Sequence, residues 1–418
     1  TKFYIPLERE SGKKSYDFNL NKKEMDDNHH GFVVVADPQI YAVKEFPLLE
    51  AGVEDIKKTI SAYKLPFHGI APGDLISHDH TLYPQYNSVM AKAGIPFYNV
   101  MGNHDMVNYG RSFETTQWKF EQIFGPSYYS FNVGKIHYVV LNDCFYVGRD
   151  YYYIGYLEER QLSWLERDLA YLPKGSTVVV SLHIPTTISK KDRDKFSYEK
   201  AGTTMANHKG LYKILEPYNT HIISGHMHTN HNEVISGNLF EHVTAAMSGA
   251  WWQGDLCTDG TPKGYGVYIA NGDSLEWYYK SVGKPVSHQM RLYTGEDDPS
   301  FGEYIVANVW NYDPLWRVEL YEDGVMTSAM ERFEAYDPKA RDIYSDKDKL
   351  EHKWIYPSLS DKFFRAKPKR ENSEIEVVAT DRFGKIYREK LRSRNHFDLV
   401  IIGGGASGTS AGIKAASM

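Results

Sequence analysis

The 418 residues are predicted to fold as an α/β layer domain followed by a small all-β domain, and three observations support this. From about residue 31 to 228, short apolar runs alternate with amphipathic stretches, the pattern of strands connected by helices. Beyond about 230 the helical spacing fades, and Asn238, Asp259-Gly260, Asn271-Gly272-Asp273 and Asp323-Gly324 punctuate strand-like runs. Hydrophobic residues make up 42% of the chain, ample for more than one core.

The strands of the first part all lead into chemically active residues. Gly31 to Ala36 runs into Asp37, Phe67 to Pro72 into Gly73-Asp74, and Ile95 to Met101 into Gly102-Asn103-His104-Asp105. Ser176 to Ser181 leads to His183, and His221 to Ser224 to Gly225-His226-Met227-His228. Ala51 to Lys64 and Glu158 to Tyr171 show helical spacing, the second placing Leu162, Leu165 and Leu169 on one face. Ser130 to Asp143 reads as a β-hairpin turning at Asn132-Val133-Gly134-Lys135, and 81–90 and 186–204 read as loops. In the second part Tyr304 to Trp310, Trp316 to Tyr321 and Glu374 to Ala379 read as strands of a sandwich. The expected division is an extension over 1–30, a catalytic domain over 31–284, a β-sandwich-like domain over 285–392, and a short remainder over 393–418.

Composition excludes several classes of function. With 48 basic and 54 acidic residues the net charge is -6, so bulk charge draws the chain to no nucleic acid. Two cysteines, Cys144 and Cys257, exclude a disulfide scaffold and a cysteine-rich zinc module. No run reaches the roughly 18 apolar residues of a membrane helix. The chain begins at Thr1 rather than methionine, and with its scarce cysteines it is expected to be an exported bacterial protein, periplasmic or secreted. Of its 17 histidines, 14 lie at or before position 242, which directs attention to the first part.

Carboxylate, amide and imidazole groups at successive strand tips are what a cluster of divalent cations requires, each tip delivering one or two ligands to a shared crevice. Asp37 and Gln39, like His226 and His228, are two residues apart, so on extended backbone each pair points one way. The order Asp-x-Gln, Gly-Asp, Gly-Asn-His-Asp, His, Gly-His-x-His resembles that of the calcineurin-like metallophosphoesterase superfamily, from about Phe32 to Ala246.

That resemblance implies a four-layer α/β/β/α sandwich holding two divalent metal ions (Mn, Fe, Zn or Mg). Carried over position by position, Asp37 binds the first metal and Asp74 bridges both. Asn103, His183 and His226 hold the second metal, and His228 returns to the first. His104, the non-ligand histidine of its motif, is implied to contact substrate with Asn103 and to protonate the leaving group, Asp74 and His104 being the catalytic pair. Gln39 departs from the pattern, since most members carry histidine there. A glutamine is a harder and weaker ligand, which lowers expected occupancy of the first site and favours Mn, Fe or Mg over Zn. The implied reaction is phosphomonoester hydrolysis by a hydroxide that the two metals activate, with no protein nucleophile and a small-molecule or protein phosphoester as substrate.

Other features admit two readings each. Asp105 orients His104 or stabilises its turn; His78, His80 and His231 touch substrate or face water. Tyr151-Tyr152-Tyr153 and Trp251-Trp252-Gln253 stack on a substrate ring or seal a domain seam. Phe397 to Ile402 leads into Gly403-Gly404-Gly405-Ala406-Ser407-Gly408, which resembles the start of a flavin- or nicotinamide-binding Rossmann unit. The acidic residue and further strands of that unit would lie beyond Met418, so it is read as a truncated start that binds no cofactor. The rival functions are a phosphodiesterase acting on nucleotide or phospholipid-type diesters, a flavin oxidoreductase fragment, and a non-catalytic binding module, the last supported by Gln39 alone.

Overall fold

The computed structural model describes Tyr4, Ser197 and residues 26–148, 152–188, 200–370 and 372–391. The Gly403 to Gly408 loop, Tyr151 and most of the 1–30 extension lie outside the described residues.

The chain opens with β1 (His29–Val34), α1 (Phe46–Ser61), β2 (Phe67–Pro72), α2 (Tyr83–Ala91), β3 (Phe97–Val100) and α3 (Glu114–Phe124). It continues through β4 (Tyr129–Val133), β5 (Ile136–Val140), β6 (Cys144–Gly148), β7 (Tyr152–Gly155), α4 (Glu159–Leu169), β8 (Thr177–Ser181) and α5 (His208–Leu215). The strands β9 (Asn219–Ser224), β10 (His231–Ser236), β11 (Leu239–Val243), β12 (Gly264–Asn271) and β13 (Ser274–Ser281) follow.

Two large sheets result, one ordered β13-β12-β1-β2-β3 and the other β10-β11-β9-β8-β5-β4, while β6 and β7 pair as a separate two-stranded sheet. Alternation along β1 and just beyond it separates the layers, since neighbouring strand residues face opposite ways. Phe32 and Val34 pack with Ile70, Tyr138, Val140, Val179 and Ile223 between the sheets. Val33 and Val35 face outward onto Phe46, Leu49, Val53 and Ile56 of α1 and Tyr83, Tyr86 and Val89 of α2. On the far side Val178 and Val180 of β8 meet Leu165 and Leu169 of α4 and Leu211 and Leu215 of α5. The architecture is therefore four-layered, α/β/β/α.

The remaining strands are β14 (Met290–Tyr293), β15 (Ile305–Val309), β16 (Arg317–Glu322), β17 (Val325–Ala329) and β18 (Glu331–Tyr336). Helix α6 (Pro338–Tyr344) precedes β19 (Leu359–Ala366), β20 (Ile375–Thr380) and β21 (Ile386–Lys390). They form two four-stranded sheets, β14-β15-β19-β18 and β17-β16-β20-β21. Ile305, Ala307, Val309 and Phe364 of the first pack against Val318, Leu320, Val377, Ala379 and Tyr387 of the second, making a sandwich.

One expected loop is a helix. Residues 83–91 form α2, with buried Tyr83, Tyr86, Val89 and Met90 on one face. Pro84 signals a breaker in sequence but stands in the first helical turn, where its missing N–H has no intrahelical partner to lose. Among the described residues no helix is long and apolar enough to cross a membrane.

Candidate metal centre

The chain leaves the strands through strained turns. Asp37, Gln39, Asp74, His226 and His228 have φ of 47°, 37°, 52°, 68° and 50°. Such left-handed backbone costs a non-glycine residue about 1–3 kcal/mol, and it persists where the surroundings over-determine it. Two glycines give these turns room. A Cβ on Gly102 would stand 2.2 Å from the Asp74 carboxylate Oδ1, and one on Gly225 2.3 Å from Asp37 Oδ2.

Second-metal ligands expected from the sequence converge on one point. His183 Nδ1 donates to the Pro72 carbonyl at 2.8 Å, which leaves the Nε2 lone pair facing inward. His226 Nε2 donates to the Gly202 carbonyl at 2.8 Å, leaving its Nδ1. His183 Nε2 then lies 3.1 Å from Asn103 Oδ1, 3.1 Å from His226 Nδ1 and 3.3 Å from Asp74 Oδ2. The ligand atoms of Asp74, His183 and His226 all fall within 4.8 Å of one another. Two donors each about 2.1 Å from one divalent cation stand roughly 3.0–3.4 Å apart, so this spacing suits a single small ion.

The electrostatics call for positive charge there. Asp37 and Asp74 are buried, and among the described residues the ion pairs they make are all with imidazoles. Burial pushes Asp37 well above the usual carboxylate range, offset only in part by His183. At Asp74 burial also acts upward, but His183, His104 and His226 together outweigh it and hold the carboxyl well below that range. Burial would lower His183, yet Asp74 and Asp37 raise it to about 10, while burial and His183 take His226 down to about 3.

First-metal candidates are set more loosely. His228 Nδ1 donates to the Gly249 carbonyl at 2.8 Å, and its Nε2 faces Asp37 Oδ1 at 3.7 Å. Gln39 donates its backbone N–H to the Asp74 carbonyl at 2.8 Å, while its side-chain Oε1 is buried without a hydrogen-bond partner. A buried orphan acceptor is costly in a folded protein, and a cation is one partner that satisfies it. The residues present thus fit two cations, with a compact donor set at the second position and a wider one at the first.

His104 stands at the open side, its side chain 24% exposed while that of Asp74 is 3%. Its backbone N–H donates to Asp74 Oδ1 at 2.8 Å, its Nε2 is 4.0 Å from Asp74 Oδ2, and its Nδ1 meets Ser77 Oγ at 3.3 Å. Asp105 does not orient it. That carboxylate accepts from Gly102 N at 2.9 Å, Leu75 N at 3.3 Å and the Tyr83 hydroxyl at 3.0 Å, so it holds the turn together. Of the extra histidines, His80 bonds the Asp105 carbonyl at 2.9 Å and His231 pairs with Glu233 at 3.3 Å. His78 packs its ring 4.4 Å from that of His104.

Sequence reasoning missed Asp143. Fully buried, it accepts from His183 N at 3.1 Å and Ile184 N at 3.1 Å, fixing the backbone that carries the His183 imidazole, and burial raises its pKa to about 6. It stands three residues past the end of β5, a strand-tip acid like the others, but reading 130–143 as one hairpin placed it inside a strand. The carbonyls of Pro72, Gly202 and Gly249 that orient three imidazoles have no sequence signal, since every residue has a carbonyl. A cavity of about 1170 Å³ lies elsewhere, between β10 and the sandwich, lined by Asn232, Phe240, Leu315, Arg332, Asp361 and Arg382.

Residues 31–230 match the family model described as calcineurin-like phosphoesterase, and residues 241–387 the model of its C-terminal part. The human serine/threonine-protein phosphatase CPPED1 is 28% identical over 191 residues, which are 45% of this chain and 56% of that protein. The chain therefore spans little more than half the length of this curated relative. Among solved structures, a dimetal phosphatase from Danio rerio shares 15% identity over 61% of this chain and 97% of its own, with a TM-score of 0.42. A purple acid phosphatase from yellow lupin shares 12% over 61% of this chain and 52% of its own, with a TM-score of 0.45.

Proposed function

Because the chain belongs to the calcineurin-like phosphoesterases, a dinuclear metal-dependent family, we propose that it is a phosphomonoesterase working at the centre around Asp74. The observation that carries this reading is the meeting of Asp74 Oδ2, Asn103 Oδ1 and His226 Nδ1 at 3.1–3.3 Å around His183 Nε2. In this reading Asp37, Gln39 and His228 hold the first cation, Asn103, His183 and His226 the second, and Asp74 both. Bound divalent cations supply Lewis acidity and an activated water. Gln39, with its amide oxygen, favours Mn, Fe or Mg over Zn at the first position.

The chain's own groups do the rest. Carbonyls of Pro72, Gly202 and Gly249 fix the tautomers of His183, His226 and His228, so each presents a lone pair inward without reorganising. His104, with its side chain 24% exposed, meets the incoming phosphoester and gives the proton on Nε2 to the leaving oxygen. Ser77 Oγ at Nδ1 steadies that ring. Burial lowers the His104 pKa, which makes the ring a readier proton donor when charged.

The test is the enzyme reconstituted with Mn, assayed on p-nitrophenyl phosphate and on its bis-ester. The monoester is expected to turn over far faster, and His104→Ala to abolish that turnover with the fold intact. Preferential cleavage of the bis-ester would establish a phosphodiesterase instead, and cleavage of neither ester by metal-loaded protein would sink the reading.

A further inference from the structure

We propose that the connection between β18 and β19, residues 337–358, lays an aromatic platform beside the metal centre, and that this platform selects phosphoesters whose organic group is a planar unsaturated ring. The proposal builds on the phosphoester reading above.

The connection is long for a loop between neighbouring strands, and long ordered loops are commonly functional. Its start is anchored in the sandwich. Asp337 is buried, caps α6 by accepting from Ala340 N at 2.9 Å, and also accepts from the Tyr293 hydroxyl at 2.8 Å and Asn308 Nδ2 at 2.9 Å. Its inner face, Ala340, Tyr344, Leu350 and Ile355, is buried with Ala250 and Leu256 of the catalytic part. Polar ties reinforce the seam. Glu351 N donates to Gln253 Oε1 at 2.7 Å, Lys44 pairs with Glu351 at 2.7 Å, and Ser358 N donates to the Thr258 carbonyl at 2.9 Å.

Above that seam runs a continuous line of rings. Trp251 stacks on the ligand His228 at 4.0 Å and 17°. Trp354 meets Trp251 edge-on at 4.3 Å and 75°, His352 stacks on Trp354 at 5.4 Å and 28°, and Tyr41 lies 4.7 Å from His352. Tyr41 stands two residues after Gln39, so the line that starts at His228 returns to the segment carrying Asp37 and Gln39.

Two facts separate a binding platform from a packing seam. Trp354 is 51% exposed whereas its neighbour Ile355 is 1% exposed, so the seam is sealed without the indole. Trp251 and Trp252 are held at φ of 51° and 62°, backbone that bulky residues rarely adopt. The Trp252 ring N–H donates to the Pro38 carbonyl at 2.9 Å, and Ser248 Oγ to the Asp37 carbonyl at 2.7 Å, which ties the strained turn to the first ligand of the site. Strain retained at this spot places an indole over His228. A phosphate at the centre then leaves its organic group within reach of the half-open Trp354 face, which favours a flat ring over a saturated chain.

Two ligand pairs differ chiefly in the ring: adenosine 5′-monophosphate with ribose 5-phosphate, and O-phosphotyrosine with O-phosphoserine. Binding is measured by equilibrium dialysis on metal-loaded His104→Gln protein, in which turnover is blocked, with and without Trp354→Ala. Stacking is worth roughly fivefold to a hundredfold in affinity, so the ring-bearing member of at least one pair binds tighter by that factor, and the pair concerned says whether a nucleoside or a phenol is preferred. Trp354→Ala brings the ratio to about 1 and leaves affinity for the ring-free ligand and the far-UV spectrum unchanged. No preference in either pair, a preference that survives Trp354→Ala, or equal weakening of both members overturns the proposal. Ring preference in a chain whose wild type hydrolyses no phosphoester defeats the catalytic reading alone, while turnover without ring preference defeats this proposal alone.

Discussion

Replacing Gly102 by alanine tests the centre through one methyl group. Gly102 has φ -98° and ψ 173°, backbone that alanine adopts freely, so the substitution introduces no conformational strain. The added Cβ would instead stand 2.1 Å from the Asp74 backbone N and 2.2 Å from Asp74 Oδ1. Asp74 must retreat by about 0.9 Å before even a 3.0 Å separation is reached, and the retreat carries the carboxylate that faces His183 at 3.3 Å. Overpacking of this size costs about 1–3 kcal/mol of stability. Displacement of an orienting partner lowers metal affinity about 10–100-fold, and a misplacement near 1 Å is worth about 100-fold in rate. Urea denaturation, metal titration and phosphatase assay on Gly102→Ala give these three quantities. Gly210→Ala in α5 is the control, where the new Cβ meets only Leu162 Cδ1 at an ordinary 3.6 Å. A Gly102→Ala protein with wild-type metal affinity and rate would refute the placement of the Asp74 carboxylate at the centre.

Other consequences are open to the same methods. Lys362 of the sandwich is buried and donates to Asp259 and to the carbonyl of Asn230, two residues beyond His228. Lys362→Met leaves Asp259 charged and unpaired, so a loss of about 3–5 kcal/mol in denaturant titrations is expected, partly restored by adding Asp259→Asn. Asp105→Asn weakens the Gly102 and Leu75 bonds that close the turn, so kcat falls while p-nitrophenyl phosphate KM changes little. Glu241 supplies a pH test. Burial raises its pKa to about 8 from an unfolded 4.5, so folding favours the protonated carboxyl, and that contribution is complete at low pH and lost as pH rises from about 4.5 to 8. The swing is of the order of a few kcal/mol, and Glu241→Gln is expected to flatten the pH dependence of denaturation over that window. An unchanged slope in the variant would contradict the raised pKa.

Much of this was legible in the sequence because apolar runs ending in a polar ligand mark strand tips. β2 occupies 67–72 as expected, and β8 differs from the expected strand by one residue. Helix α3 carried no such signal, since its buried face is Thr116, Gln117 and Phe120, and polar residues in a core erase the helical periodicity. α2 was hidden by a first-turn proline. At the site, His183 and the three donors around its Nε2 were named by motif order, whereas the aromatic line was not. Trp251 and Trp354 are about a hundred residues apart, and only the docking of 337–358 under Ala250 and Leu256 brings them together.

The most direct measurement of the central claim is the metal content of Asp74→Asn beside that of the wild type, each dialysed against limiting Mn and quantified per chain. The account predicts two equivalents in the wild type, at most one in the variant, and no p-nitrophenyl phosphate hydrolysis by a variant that keeps its near-UV spectrum. A folded Asp74→Asn protein that retains both equivalents and full activity would contradict it.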